Sequence, residues 1–160
     1  MNQRGRSHAL EIHDNRIMRY LFLFSLFLMA LTGFGQMPIY KRYYMADIPG
    51  FGCLADFFMT RYVHYLGAAL LLALLSYFLF DYFFLQRKNL KITRTGYLRI
   101  ALLAGIVLTG ILFVVKNFPV HYFSHEFIIV LNLCHLGLVM TFLLVSLYCL
   151  AFKKKWTTDR

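Results

Sequence analysis

The sequence predicts an all-α integral membrane protein built as a four-helix bundle. Three observations predict it. Of the 160 residues 60% are hydrophobic, 18% are aromatic and only 15% are charged, too few charges for the surface of a soluble domain of this size. The apolar residues fall into four runs, each near the roughly 20 residues needed to cross a bilayer. The basic residues, which carry a formal charge of +10, lie at the chain ends and in one connecting segment. That distribution is what membrane topology requires, and it argues against nucleic acid as the partner.

The first span is expected at about 17–36, after a polar, basic approach carrying Arg4, Arg6, His8, His13 and Arg16. It ends without a small-residue cleavage site, so it reads as a retained span rather than a signal peptide. Arg19 lies one turn in and can snorkel to the interface. Thr32-Gly33 is a small-residue site that admits close approach of a helix or cofactor. Pro38, Pro49-Gly50 and Gly52 then break the chain into an external loop. Its Tyr40, Tyr43, Tyr44 and Phe51 suit an interfacial belt.

The second span is expected at about 58–84, with Asp56 and Arg61 at its outer end and Asp81 near its inner end, in reach of the basic segment. Arg87, Lys88, Lys91, Arg94 and Arg99 form that segment. The third span follows at about 97–115, with Gly105 and Thr109-Gly110, and stops at Lys116, Asn117 and Pro119. The fourth, about 126–152, carries Asn132, His135 and Ser146 and is halted by Lys153-Lys154-Lys155. The positive-inside rule places both termini in the cytoplasm. No repeat is evident along the chain.

Two histidines stand out because an imidazole at membrane depth is expensive and marks a functional site by default. His64 lies in the second span and His135 about ten residues, or roughly 15 Å of helix, into the fourth. Both spans run inward from the outer face, so the two rings can meet at similar depth and ligate one haem iron. Gly67, three residues after His64 and on its face, would leave room for a flat macrocycle. The competing reading is that each histidine only hydrogen-bonds across helices. His121 and His125, nearer the surface, are expected beside haem propionates together with Arg61 and Lys116. Cys53, Cys134 and Cys149 have no metal-like spacing and read as small core residues.

From about Asn15 to Phe152 the chain resembles the four-helix cytochrome b subunits of membrane-bound formate dehydrogenases, nickel-iron hydrogenases and thiosulfate reductases. Three pieces carry the likeness: Asn15-Arg16-Ile17-Met18-Arg19-Tyr20 through Leu31-Thr32-Gly33, Arg61-Tyr62-Val63-His64 through Gly67, and Leu133-Cys134-His135 onward. The resemblance implies that His64 and His135 ligate an outer haem b. It implies equally that both ligands of the family's inner haem are replaced, by Arg19 and by Cys149, which lies fourteen positions after His135. One haem b is therefore expected, and two are possible. In a rival register His121 joins His64 while His135 and His13 serve an inner haem, but His121 lies outside the apolar run.

The expected function is that of a membrane-anchoring cytochrome b subunit in the inner membrane of a bacterium. It would carry electrons between an iron-sulfur subunit, attached to a catalytic oxidoreductase subunit on the outer face, and quinone as exchangeable substrate. The chain would be an electron-transfer subunit rather than an enzyme alone. The alternatives are a haem-free membrane anchor or assembly subunit, and a small transporter. A transporter would spread ionisable residues along a path or break its helices in paired halves. Asn132 and Tyr62 are polar groups at plausible depth for quinone, yet both read more simply as packing hydrogen bonds.

Overall fold

The computed structural model describes residues 16–37, 39–40, 47–118 and 123–159. Four helices among them are long and apolar enough to cross a membrane. These are α1 (Arg16–Gly35), α2 (Phe57–Asp81, extended to Gln86 by a π-helical turn), α3 (Arg94–Lys116) and α4 (His125–Ala151). Each matches an expected span to within a few residues. The chain divides into two compact units between Arg87 and Lys88. Each unit is a pair of antiparallel helices.

Side chains fix the helix starts. Asp56 caps α2, its carboxylate accepting from the amides of Phe58 (2.9 Å) and Met59 (3.1 Å). Thr93 caps α3 by accepting from the Gly96 amide, and Ser124 caps α4 by accepting from that of Phe127. Such caps satisfy amides that the first helical turn leaves without partners. The outward faces are apolar: Phe58, Phe84 and Leu150 are more than three-quarters exposed. For a helix with its own backbone bonds satisfied, hydrocarbon is the solvent that suits such a face.

In the first hairpin, Phe22 near the start of α1 meets Phe78 near the end of α2, edge to face at 5.7 Å. At the other end, Thr32 of α1 meets His64 of α2. Between them α1 closes on Gly67, where an added Cβ would stand 3.0 Å from the Met29 sulfur. The Met29 side chain thus packs against Gly67, the glycine expected to make room for a macrocycle. We expect Gly67→Leu to push the two helices apart and lower stability by about 1–3 kcal/mol, the usual cost of overpacking. Thermal unfolding in detergent should show the loss, and Met29→Ala in the same chain should recover part of it.

The C-terminal end of α2 holds a local feature that the sequence did not announce. The π turn Tyr82–Gln86 brings residues five apart onto one face, and there the Gln86 amide donates to Asp81 Oδ2 at 2.7 Å. Asp81 therefore pairs along its own helix rather than with the basic segment. Its Oδ1 is buried and has no hydrogen-bond partner among the described residues.

In the second hairpin, Leu138 of α4 covers Gly105 of α3, and the far end is tied by a clasp. Two three-residue strands, β1 (Leu90–Ile92) and β2 (Thr157–Asp159), pair antiparallel with Leu90 opposite Asp159. The sequence reads both stretches as loop and tail. The Thr93 hydroxyl lies within hydrogen-bonding distance of the Lys155 and Trp156 carbonyls, at 2.9 and 3.1 Å. Arg99, read as part of the basic segment, is buried. Its guanidinium lies 4.1 Å from the centre of the Trp156 ring and donates to the Lys154 carbonyl at 3.3 Å. Lys153, at φ 52°, turns the chain off α4: the Lys154 amide bonds back to the Cys149 carbonyl and that of Lys153 to Leu150. This is the six-to-one and five-to-two pattern that ends many helices.

Candidate functional site

The two hairpins hold their histidines in the same way. In the first, α1 presents Thr32 three residues before its end and α2 presents His64 seven residues after its start, about 10 Å along the helix. The Thr32 hydroxyl lies 2.8 Å from His64 Nδ1. It also lies 2.7 Å from the Leu28 carbonyl one turn back. In the second, Thr109 of α3 lies 2.7 Å from Nδ1 of His135 of α4, and 2.8 Å from the Gly105 carbonyl one turn back. His135 stands ten residues after the start of α4, about 15 Å along the helix.

The tautomer of each ring sets which group donates in the threonine–histidine contact. A threonine that gives its proton to the carbonyl one turn back accepts from Nδ1–H and leaves the lone pair on Nε2, the neutral form that a metal ligand requires.

Neighbouring groups orient the rings further. Gly33 lies against His64, whose Cε1 would be 3.7 Å from an added Cβ. Phe113 meets the His135 ring edge to face at 5.4 Å and 87°, and the same phenyl carries Lys116 at 5.5 Å on its face. Arg61 lies over the Phe57 ring at 4.3 Å. His125 opens α4 and is exposed, and an added Cβ on Gly110, beside Thr109, meets nothing within 4 Å.

Of the expected site residues, then, His64 stands with Gly33, and Lys116 with His135 through Phe113. Arg61 lies one turn before His64, and His125 marks the mouth of α4. Gly67 belongs to helix packing. His121, and with it the His13 and His121 register, lies outside the described residues. Sequence reasoning missed the two threonine hydroxyls and Phe113. The dipeptide Thr-Gly at 32–33 and again at 109–110, each one helix ahead of a histidine, was the available signal. It was read as small size rather than as hydrogen bonding.

The positions expected to have lost inner ligands also have defined surroundings. Arg19 is exposed on α1, 5.8 Å from the Tyr20 ring. Cys149 is buried on α4, and Arg99 is buried on α3. Asn132 donates to the Ile128 carbonyl of its own helix. An apolar cavity of about 280 Å³ opens at the end of α1 beneath the loop, lined by Leu31, Phe34, Met37, Phe51 and Leu54. Tyr40 also lines it, but its hydroxyl donates to the Phe51 carbonyl, so a quinone oxygen would find no ready donor there. Among the described residues, no group of three or more His, Cys, Asp and Glu side chains forms a metal site. Compared with protein-family models, curated proteins and solved structures, the chain matches none.

Proposed function

We propose that the chain is a membrane-anchoring cytochrome b subunit of a respiratory oxidoreductase, with His64 and His135 as the two axial ligands of one haem b. The observation that carries this reading is the matched pair of histidines within apolar membrane-length helices, each held at Nδ1 by a threonine of the preceding helix so that Nε2 is the ring nitrogen turned to other partners. The donor set fits the group: two neutral imidazoles hold low-spin iron, which favours electron transfer over oxygen chemistry. Bound there, haem b supplies a one-electron couple. The protein supplies ligands, their orientation and a dry apolar surround.

Each hairpin contributes one ligand. Thr32 and Gly33 fix the ring of His64, and Thr109 and Phe113 fix that of His135. Arg61 and Lys116, at the same helix ends as these histidines, offer positive charge to the haem propionates. The opposite end of the second hairpin holds Cys149 and the guanidinium of Arg99, both buried. One haem is the expected stoichiometry.

In this reading both termini are cytoplasmic and the haem lies in the outer half of a bacterial inner membrane. Electrons pass between an iron-sulfur subunit outside and quinone within the bilayer. The cross-helix hydrogen bonds also suit a haem-free anchor that has kept only its fold. Haem b per polypeptide in the purified protein separates the two. One haem supports the proposal. None, in a folded preparation supplied with haem, overturns it in favour of the anchor. Two would show that His13, His121 or His125 is a ligand and that the one-haem assignment is wrong.

A further inference from the structure

We infer that the clasp at the end of the second hairpin is a binding surface for the anionic headgroups of membrane lipids. Five exposed basic residues meet there: Lys91 on β1, Arg94 at the start of α3, and Lys153, Lys154 and Lys155 just after α4. The backbone brings the two groups together. The Thr93 hydroxyl lies 2.9 Å from the Lys155 carbonyl, 62 positions away, and the Thr93 amide donates to the Trp156 carbonyl at 3.0 Å. Arg99 donates to the Lys154 carbonyl at 3.3 Å. The lysine run is thus anchored through its carbonyls while its side chains stay exposed. Strand β1 does the same by alternation: Leu90 and Ile92 are half-buried, and Lys91 between them is exposed, as the two-residue period of a strand requires.

The clasp does little to neutralise this charge. Its one acidic residue among those described, Asp159, stands opposite Leu90, away from the lysine run. Arg99, buried beneath that run, donates to the carbonyls of Thr95 and Lys154, and neither cancels its charge. Folding the tail back therefore sets like charges side by side, a cost that an anionic counter-surface removes. The surroundings identify that surface. Tyr97, Leu98 and Phe152, close in sequence to these cations, are 60%, 48% and 61% exposed, and they lie at the ends of helices of membrane-crossing length. Cations beside such exposed aromatic and aliphatic side chains stand where hydrocarbon gives way to lipid phosphates, and an anionic leaflet attracts each of them. A soluble anion would meet the charge but cover none of the apolar rim. This inference does not depend on haem.

Trp156 is the single tryptophan and belongs to the clasp, so its fluorescence reports the lipid beside it. The full chain is reconstituted in bilayers of one fixed mixture of phosphatidylglycerol and phosphatidylcholine, with bromine on the acyl chains of one lipid or of the other. One basic side chain at an anionic surface favours association about fivefold. Brominated phosphatidylglycerol should therefore quench Trp156 as though enriched at least about fivefold over its bulk share, and high salt should weaken that preference. Replacing Lys91, Lys154 and Lys155 together by glutamine should bring the two quenchers level, whereas arginine at the same three positions should keep the preference. An unchanged emission maximum in the glutamine variant shows that the clasp has survived. Equal quenching by the two lipids in the wild type would overturn the inference and leave the patch to an acidic protein partner. A wild-type preference indifferent to salt would also overturn it, as would one that outlasts the glutamine substitutions. Inorganic phosphate at matched ionic strength should leave the preference in place; its loss would make the surface a soluble-anion site and the lipid assignment wrong.

Discussion

On the proposed haem reading, His64→Ala and His135→Ala should each abolish haem binding, whereas His8→Ala and His13→Ala should leave it intact. The size of the effect comes from coordination: with only two protein ligands expected for the iron, removing either would leave a single imidazole to hold the haem. Alanine also leaves the Thr32 or Thr109 hydroxyl without its ring partner. That loss costs about 1 kcal/mol of packing, small beside the loss of a ligand, so the helices should still form. Circular dichroism should therefore report normal helicity in variants whose absorption spectrum lacks the low-spin bands. Retention of a full low-spin spectrum by either alanine variant would remove that histidine from the ligand set. Loss of the spectrum in His13→Ala would favour the register in which His13 and His135 share an iron.

Gly96→Ala should release the tail from the second hairpin. A methyl group there would collide with the Trp156 carbonyl oxygen and approach Ile92 Cγ2 to 2.9 Å. Neither obstacle is a flexible chain end. The first is backbone, held by the Thr93 amide at 3.0 Å, and the second lies on the strand that pairs with the tail. Displacing them undoes the β1–β2 pairing and draws Trp156 away from Arg99. The expected cost is about 1–3 kcal/mol, the range for overpacking. It includes a cation–π contact worth about 1–2 kcal/mol when desolvated. The protein has a single tryptophan, so the readout is clean. Trp156 emission should become more accessible to a soluble quencher and the C-terminal lysines more open to trypsin. Emission and cleavage unchanged from wild type would show that the tail is held elsewhere.

The spans were legible because their signal is additive. Some twenty apolar residues must be consecutive to cross hydrocarbon, and the four helices follow that pattern. His64 and His135 stood out for the complementary reason, as polar groups where polarity is expensive, and each meets a threonine of the preceding helix. What escaped is what depends on a partner distant in sequence. Thr32 and His64 are 32 positions apart, and Thr109 and His135 are 26. A threonine in an apolar run reads as small until its neighbour is known. The repeat between the hairpins escaped for the same reason: the intervening residues share no pattern, and only the bonded pairs do. Arg99 was grouped with the basic segment because sequence shows only its charge and position. Its burial depends on Trp156 and on the carbonyl that the Lys153 turn exposes. Gly67 was placed correctly on the histidine's face, but which neighbour fills the space beside a glycine is a tertiary fact.

The measurement that tests the central claim most directly is near-infrared magnetic circular dichroism of the oxidised, haem-loaded protein. Its charge-transfer band reports which two side chains hold low-spin ferric iron. A single bis-imidazole band, absent from His64→Ala and from His135→Ala, is the predicted result. A band from a thiolate or thioether ligand, or a high-spin spectrum in the wild type, would contradict the assignment of His64 and His135 as a pair.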